Sequence, residues 1–175
     1  MSCLLDRTKG EMRAVLVFKR DSLQYDIENY CHIEGSVMPR DTDPHNRHMV
    51  QDAGDAGNVD RITRVLDLTV TKCKELLYPY TRHKIECEVL DNRFLEEPVY
   101  GIVLSVPDDF SQTSLNLLEK LMHELLVCTA VADWLSITNP EKAQTWVAKA
   151  KAAEEDIKSN LHSRIRRVRI RMHPF

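Results

Sequence analysis

The sequence predicts a helix-dominated α+β domain, in which a long antiparallel helical hairpin and another helix pack on a small, mostly antiparallel sheet. Residues 111–161 hold two long stretches of helical periodicity, separated by a short break. Residues 13–18 and 99–106 are short apolar runs rich in β-branched and aromatic side chains, as in strands. The chain has 175 residues, of which 43% are hydrophobic and 29% charged, so we expect residues 1–175 to form a single domain with one core.

The N-terminal part is expected to supply one strand and one short helix. Residues 1–11 look weakly structured, and we expect a flexible leader there. Residues 13–18 follow as the first strand of the sheet. Apolar residues at helical spacing over residues 21–30 then predict a helix, which is expected to end before Gly35.

Residues 39–57 differ in composition from the rest of the chain. They are rich in Asp, Asn, His, Pro and Gly and contain almost no core-forming side chains. Long segments of this kind inside compact domains are usually functional loops. We therefore expect an exposed polar loop, or arm, over residues 39–57.

The middle of the chain predicts a helix followed by two strands. Asn58 is expected to cap the helix, apolar residues recur in it at three- and four-residue intervals, and Pro79 is expected to end it. Residues 83–90 alternate between polar and apolar side chains, as in a half-buried strand. Residues 99–106 form a second apolar run, close enough to pair with 83–90 as a hairpin with a long loop.

The predicted helical hairpin occupies residues 111–161. The apolar stripe of its first helix, over about 111–137, is thickened on one side. This stripe consists of Leu115, Leu118, Met122, Leu125, Thr129 and Ala132, with Leu121, Cys128 and Leu135 beside it. Asn139 as a cap and Pro140 at the first helical position mark the start of the second helix. Because only residues 136–139 separate the two helices, they are expected to fold back on each other.

The charge of the chain is segregated toward its C-terminal end. The last 18 residues contain one Lys, five Arg and no acid, which gives +6 and leaves −9 on the rest of the chain. Residues 164–175 are predicted to form a basic strand, with its apolar and cationic side chains on opposite sides. This strand is expected to pair either with the sheet of its own subunit or with the sheet edge of a neighbour. Its candidate contacts to a partner protein or to a polyanion are Arg164, Arg166, Arg167, Arg169 and Arg171.

No residue pattern in the sequence specifies a reaction. Glycine-rich phosphate loops and the GxSxG motif are missing, and His123-Glu124 lacks the second histidine of a zinc-binding HExxH motif because residue 127 is Val. The five cysteines form no CxxC pair. Cys73 and Cys128 fall on apolar helix faces, where we expect buried and inert thiols. We therefore predict a protein that is not an enzyme, with no catalytic residue and no cofactor.

Two further groups of side chains are interpreted as structural. Asp43, His45, His48, Asp52 and Asp55 are metal-ligand types, but they lie in a predicted loop without a fixed third ligand, so no metal site is predicted. A small metal-dependent enzyme built on His45 and His48 stays open as one alternative. Trp134 and Trp146 are expected to clamp the helical hairpin rather than bind a ligand.

Three segments resemble small structural proteins encoded in prophages, of the head–tail connector or tail-completion type. They are residues 76–81 (LLYPYT), residues 131–136 (VADWLS) followed by Asn139-Pro140, and residues 171–175 (RMHPF). The resemblance covers about residues 12–175. It implies a mostly helical subunit without catalytic residues that assembles into rings, with an arm or a terminal strand that reaches the adjacent subunit.

The resemblance sets the expected role and location of the chain. We expect a non-catalytic assembly subunit that binds its own copies and other phage structural proteins, in the bacterial cytoplasm or in the virion. The first charges come too early for a signal peptide, and no apolar run reaches the ~20 residues of a membrane helix, so no membrane is expected as a partner. The alternative is a nucleic-acid-associated protein that uses the basic C-terminal segment for non-specific contact with DNA.

Overall fold

The computed structural model describes residues 6–8, 11–39, 44–81, 99–107 and 110–162. Helices dominate these residues, and they pack on one face of a small antiparallel sheet, so the predicted α+β class is confirmed. The predicted strand at 83–90 and the basic segment 164–175 lie outside the described residues, as do residues 40–43 of the predicted arm.

Among the described residues, three antiparallel strands form the sheet, in the order β1-β2-β3. They are β1 (Asp6–Thr8), β2 (Glu11–Lys19) and β3 (Val99–Pro107). The strands predicted at 13–18 and 99–106 are therefore confirmed, and within the described residues they pair with each other. The flexible leader predicted for residues 1–11 is wrong at β1, because backbone pairing with β2 orders a segment that has no apolar pattern of its own.

One face of the sheet belongs to the core. Leu16 stands opposite Ile102 and Phe18 opposite Tyr100, and all four are buried. Their neighbours along each strand point to the other face, as the two-residue period of a strand requires. Helices contact β2 and β3, so the sheet closes one side of the helical core.

The helix α1 (Arg20–Val37) is longer than the sequence predicts. It runs through Gly35, where we expected it to have ended. A Cβ at Gly35 would lie 2.6 Å from the Gln51 side chain and 3.1 Å from the Arg47 carbonyl oxygen. The glycine therefore permits the close approach of a second helix, α2 (Pro44–Gln51), and does not end the first.

The loop or arm predicted for residues 39–57 is wrong in its conformation over residues 44–57, although most of their side chains are exposed as expected. These residues form α2, a 3-10 turn over Asp52–Gly54, and the start of the next helix. Val50 and Ala53 are fully buried, and α2 contacts both α1 and the hairpin. Burial of Val50 and Ala53, which are three residues apart, thus stabilises helical structure despite the turn-forming composition, since tertiary packing overrides local propensity.

The helix α3 (Ala56–Leu76) carries the predicted apolar stripe, which is buried at Ile62, Leu66, Val70 and Cys73. The predicted cap at Asn58 is wrong. Asp55 holds the N-cap position, and the Asn58 side-chain amide instead donates to the Asp52 carbonyl oxygen at 2.7 Å. Pro79 does not follow the end of α3 directly, because it lies in the first turn of the short helix α4 (Tyr78–Thr81), where a missing N–H costs nothing.

The helical hairpin predicted for residues 111–161 is confirmed, and it consists of α5 (Gln112–Thr138) and α6 (Pro140–His162). The Asn139 side-chain oxygen accepts a hydrogen bond from the Lys142 backbone N–H at 3.4 Å, as expected of a cap. α5 contacts α1, α2, α3, α6 and β2, and its buried residues surround it instead of forming one stripe. It is the one helix of the described ranges with the length and composition to cross a membrane, but most of its apolar window is buried among these neighbours.

Candidate protein-binding groove

The arginines predicted to contact a partner or a polyanion all lie beyond residue 162, outside the described residues. Their role stays a prediction. The structure does place the other residues that the sequence singled out, and it shows what each of them contacts.

The histidines of the supposed metal loop lie on a helix. His45 and His48 are exposed on α2, while Asp52 and Asp55 lie in and after the 3-10 turn; Asp43 is outside the described residues. Within the part of the chain that the structure describes, no three His, Cys, Asp or Glu side chains come together so as to hold a metal ion.

His123 links two helices. Its Nε2 lies 2.7 Å from Oδ2 of Asp26, so this pair joins α5 to α1 at a partly exposed position. Next to it, Glu124 is the main cause that raises the pKa of Tyr30, and burial, Cys128 and Asp26 add to the effect. A phenol with a raised pKa stays protonated at neutral pH and cannot act as a base there.

The three described thiols are buried in the core. Burial is the main cause that raises the pKa of Cys31, Cys73 and Cys128 to about 12. Nearby carboxylates add to each shift, such as Glu154 at Cys73 and Glu124 at Cys128. Since the thiolate is the reactive form, a raised pKa disfavours reaction at neutral pH. The prediction that Cys73 and Cys128 lie buried on helix core faces is confirmed.

The two tryptophans fasten other helices to the hairpin. The Trp134 indole donates to the Val50 carbonyl oxygen at 2.9 Å, which attaches α2 to α5. The Trp146 indole donates to Oε1 of Glu34 at 3.0 Å and packs edge-on against Tyr30, with ring centroids 5.0 Å apart, which attaches α1 to α6. The printed contacts of both indoles are structural, and they join the hairpin to α1 and α2.

A groove opens on the other side of the hairpin, between α3 and α6, with α5 as its floor. Its volume is about 440 Å³, and its surface is mainly apolar. Larger apolar side chains line it at Leu76, Leu125 and Val147, but each of the three helices also carries small side chains that leave space there. The small side chains are Thr69 and Cys73 on α3, Thr129 and Ala132 on α5, and Ala150 on α6.

Charged side chains form the rim of the groove. α3 contributes Lys72 and Glu75, and α6 contributes Lys151 and Glu154, so each wall carries a cation followed by an anion one turn later. Glu154 also accepts a hydrogen bond from Lys158 at 2.5 Å. An apolar floor with a charged rim is typical of a surface that binds another protein segment.

Sequence reasoning missed this groove. The apolar stripes of the three helices were identified, but every stripe residue was treated as core. The signal that was available is the size of the side chains, because Thr69, Cys73, Thr129 and Ala132 lie within or beside those stripes and cannot fill the space between three helices.

No protein-family model matches this chain, and neither a curated protein nor a solved structure matches it.

Proposed function

We propose that this chain is a non-catalytic structural subunit of a phage-like particle, of the head–tail connector or tail-completion type. It acts by self-association and by binding other proteins of the particle, in the bacterial cytoplasm during assembly and then in the virion. The observation that carries this proposal is β3, a long uncharged strand that pairs with β2 alone among the described strands.

β3 is nine residues long, and β2 is its single partner among the described strands. The edge of such a strand offers a row of backbone N–H and C=O groups to another strand. Proteins that are not meant to associate usually keep edge strands short, charged or interrupted by proline. β3 carries no charged side chain, and its one proline is its last residue. It is thus suited to accept a further strand.

The outer face of the sheet also favours a protein contact. Val15, Val17 and Val103 are only half-buried there, and Val99 is 40% exposed. Arg13 and Lys19 are exposed at the two ends of β2 on this face. An apolar centre flanked by cations suits a protein surface better than bulk water.

The sequence of the basic C-terminal segment is suited to form the strand that pairs with β3. Val168, Ile170 and Met172 alternate with arginines, so one side of an extended segment is apolar and the other cationic. Addition of this segment to β3 of a neighbouring copy would join subunits head to tail, which closes into rings when the rotation between subunits allows it.

Deletion of residues 167–175 tests the proposal. We expect the deletion to weaken self-association at least about tenfold, measured by light scattering over a concentration series, because main-chain pairing is lost. Helicity measured by circular dichroism should stay the same, since the described helices make their contacts without this segment.

A matched variant separates strand pairing from charge. Val168→Asn, Ile170→Asn and Met172→Asn together keep all the arginines but remove the apolar side, and this variant should weaken self-association as the deletion does. An immediate loss of helicity on deletion would show that the segment belongs to the core of its own subunit. DNA binding at about 50 mM salt that survives the Asn variant and disappears on deletion would favour the nucleic-acid role instead.

A further inference from the structure

We infer that the outer face of the sheet pairs with the same face of a second copy of this chain, with the strands of the two copies antiparallel. The outer face is the side turned away from the helical core. Its centre consists of Val15, Val17, Gly101 and Val103, and Arg13 and Lys19 lie at its two ends. This contact goes beyond the proposed function, because it lies on the face of the sheet and needs no C-terminal segment.

Gly101 has no role inside the described part of the chain that requires a glycine. At Gly35 and Gly54 a Cβ would lie 2.6 Å from a neighbouring side chain, so close packing explains these two glycines. A Cβ at Gly101 would meet no atom of the described residues within 4 Å, apart from its chain neighbours, and the one-to-one pairing of β2 and β3 runs through it. Glycine inside a strand costs stability and often marks the close approach of another molecule. Gly101 therefore leaves an open recess on the outer face.

The strand register supplies a side chain that fits this recess. Val17 stands opposite Gly101, and Val15 stands opposite Val103. Consider a two-fold axis that lies between two facing sheets, at right angles to the strands and midway between these two pairs. It places Val103 of each copy over Gly101 of the other, and Val17 of each copy over Val15 of the other. The same recess is thus filled twice, as a two-fold contact requires.

The charges at the ends of the sheet favour the antiparallel orientation. Lys19 is exposed, stands opposite Val99 and makes no ion pair with any residue that the structure describes. At the other end Arg13 stands opposite Asp6, and Glu11 lies two residues before it, so the strands there carry two acids and one base. With parallel strands the two copies of Lys19 would face each other. With antiparallel strands each Lys19 lies over the more acidic end of the other sheet.

The apolar centre of the face suits contact between two sheets. Val15, Val17 and Val103 are half-buried, and Val99 is 40% exposed, so part of each side chain is open to another surface. Sheets that pack face to face lie about 10 Å apart, with their strands about 30° from aligned, and their side chains interdigitate. Valines around a one-residue recess allow such interdigitation between two identical faces.

The size of the face limits the strength of the contact. β2 and β3 have nine residues each. Nine residues span about 30 Å, and two strands about 4.8 Å apart make a narrow face. This is the low end of specific protein interfaces, so we expect two isolated copies to associate weakly. Where copies are already joined in a ring, several such contacts act together and pair one ring with another.

The experiment measures self-association of the full chain by sedimentation velocity over a concentration series. Gly101→Val should weaken the pairing of copies at least about tenfold, because the added side chain collides with Val103 of the other copy. The same variant should raise the midpoint of thermal unfolding by about 2–4 °C, since valine suits a strand better than glycine and has open space there. A protein that unfolds at higher temperature but pairs less has not lost its pairing through misfolding.

A second variant exchanges the recess and the side chain that fills it. Gly101→Val with Val103→Gly keeps the composition, and the two-fold relation still brings the two positions over each other. Pairing should return to within about threefold of the unmodified protein, because the two changes compensate across the contact. Gly57→Ala is the control. A Cβ there also meets no described residue within 4 Å, but Gly57 lies on α3, so pairing should stay unchanged.

The orientation of the two sheets has its own test. Lys19→Gln removes the cation without adding an acid. In the antiparallel arrangement it should weaken pairing about threefold at low ionic strength, and the effect should fade as salt is added. In a parallel arrangement the same change would relieve repulsion between the two lysines and strengthen pairing, which would overturn the inference.

Unchanged pairing in Gly101→Val, or an exchanged variant that pairs no better than Gly101→Val, would also overturn it. Deletion of residues 167–175 separates this contact from the proposed function. Larger assemblies should be lost and pairs of copies should remain. If no pairs remain after the deletion, the contact between sheet faces is excluded and the role of the C-terminal segment stands. If the deletion changes nothing but Gly101→Val abolishes pairing, the contact stands and the proposed role of that segment is excluded.

Discussion

The two sides of the α5–α6 hairpin are built from side chains of very different size. On the side of α1 and α2, Trp134, Trp146 and Tyr30 fill the interface, and each indole is hydrogen-bonded to the facing helix or its carboxylate. On the side of α3, alanines and other small residues leave an open groove. The two sides share the same apolar periodicity, so periodicity alone does not decide whether an interface closes.

The polar contacts on the two sides of the hairpin also differ, in how far they are exposed to solvent. The hydrogen bonds of the indoles are buried or partly buried, whereas the ion pair between Arg61 and Asp133 that joins α3 to α5 has both side chains more than one third exposed. Exposed ion pairs contribute little to stability, about 0–1 kcal/mol. The α3 side is therefore held mainly by its buried apolar side chains, such as Ile62, Leu66 and Val70, and not by buried hydrogen bonds.

The largest effect on stability is expected where the hairpin faces α1 and α2, a side that we call the closed side. Trp146→Ala should lower the free energy of unfolding by about 3–5 kcal/mol in urea denaturation, because the side chain is 2% exposed and its removal leaves a cavity against Tyr30. The neighbouring Val147→Ala is the control, since Val147 is 42% exposed beside the groove and should change stability by less than about 1 kcal/mol. Equal losses for the two variants would remove the distinction between the two sides.

A smaller effect separates two alanines of the same helix. Ala153 is 7% exposed in the core, so Ala153→Leu should overpack it and lower the free energy of unfolding by about 1–3 kcal/mol. Ala150 lines the groove, where a leucine has space, so Ala150→Leu should stay within about 0.5 kcal/mol of the unmodified protein. Comparable destabilisation by both in thermal and urea unfolding would mean that the groove is not open.

The elements that the sequence predicts well are those with long, uninterrupted periods. The hairpin is correct nearly to the residue, because many apolar positions in α5 and α6 agree with one another and Asn139-Pro140 marks the break. β2 and β3 are also correct, since short apolar runs rich in β-branched residues favour strands.

The elements that the sequence misjudges depend on contacts between distant segments. α2 looks like a loop until Val50 and Ala53 meet α1 and α5, and Gly35 looks like a stop until α2 crosses over it. The groove was missed for a related reason. A stripe of apolar positions gives the direction in which side chains point, whereas the space left between three helices depends on the sizes of all of them together.

The smallest effect concerns the hydrogen bond that holds α2 to the hairpin. Trp134→Phe keeps an aromatic ring in place but removes the indole N–H, so the Val50 carbonyl oxygen loses its donor near the end of α2, where helix carbonyls lack partners within the helix. We expect a loss of about 1 kcal/mol in the free energy of unfolding. Native-state hydrogen exchange should show faster exchange in α2, with α6 unchanged, because α2 is a short helix attached to the hairpin mainly at this point and through Val50. Unchanged exchange in α2 would show that apolar packing alone holds it, and that the closed side does not need its hydrogen bonds to stay closed.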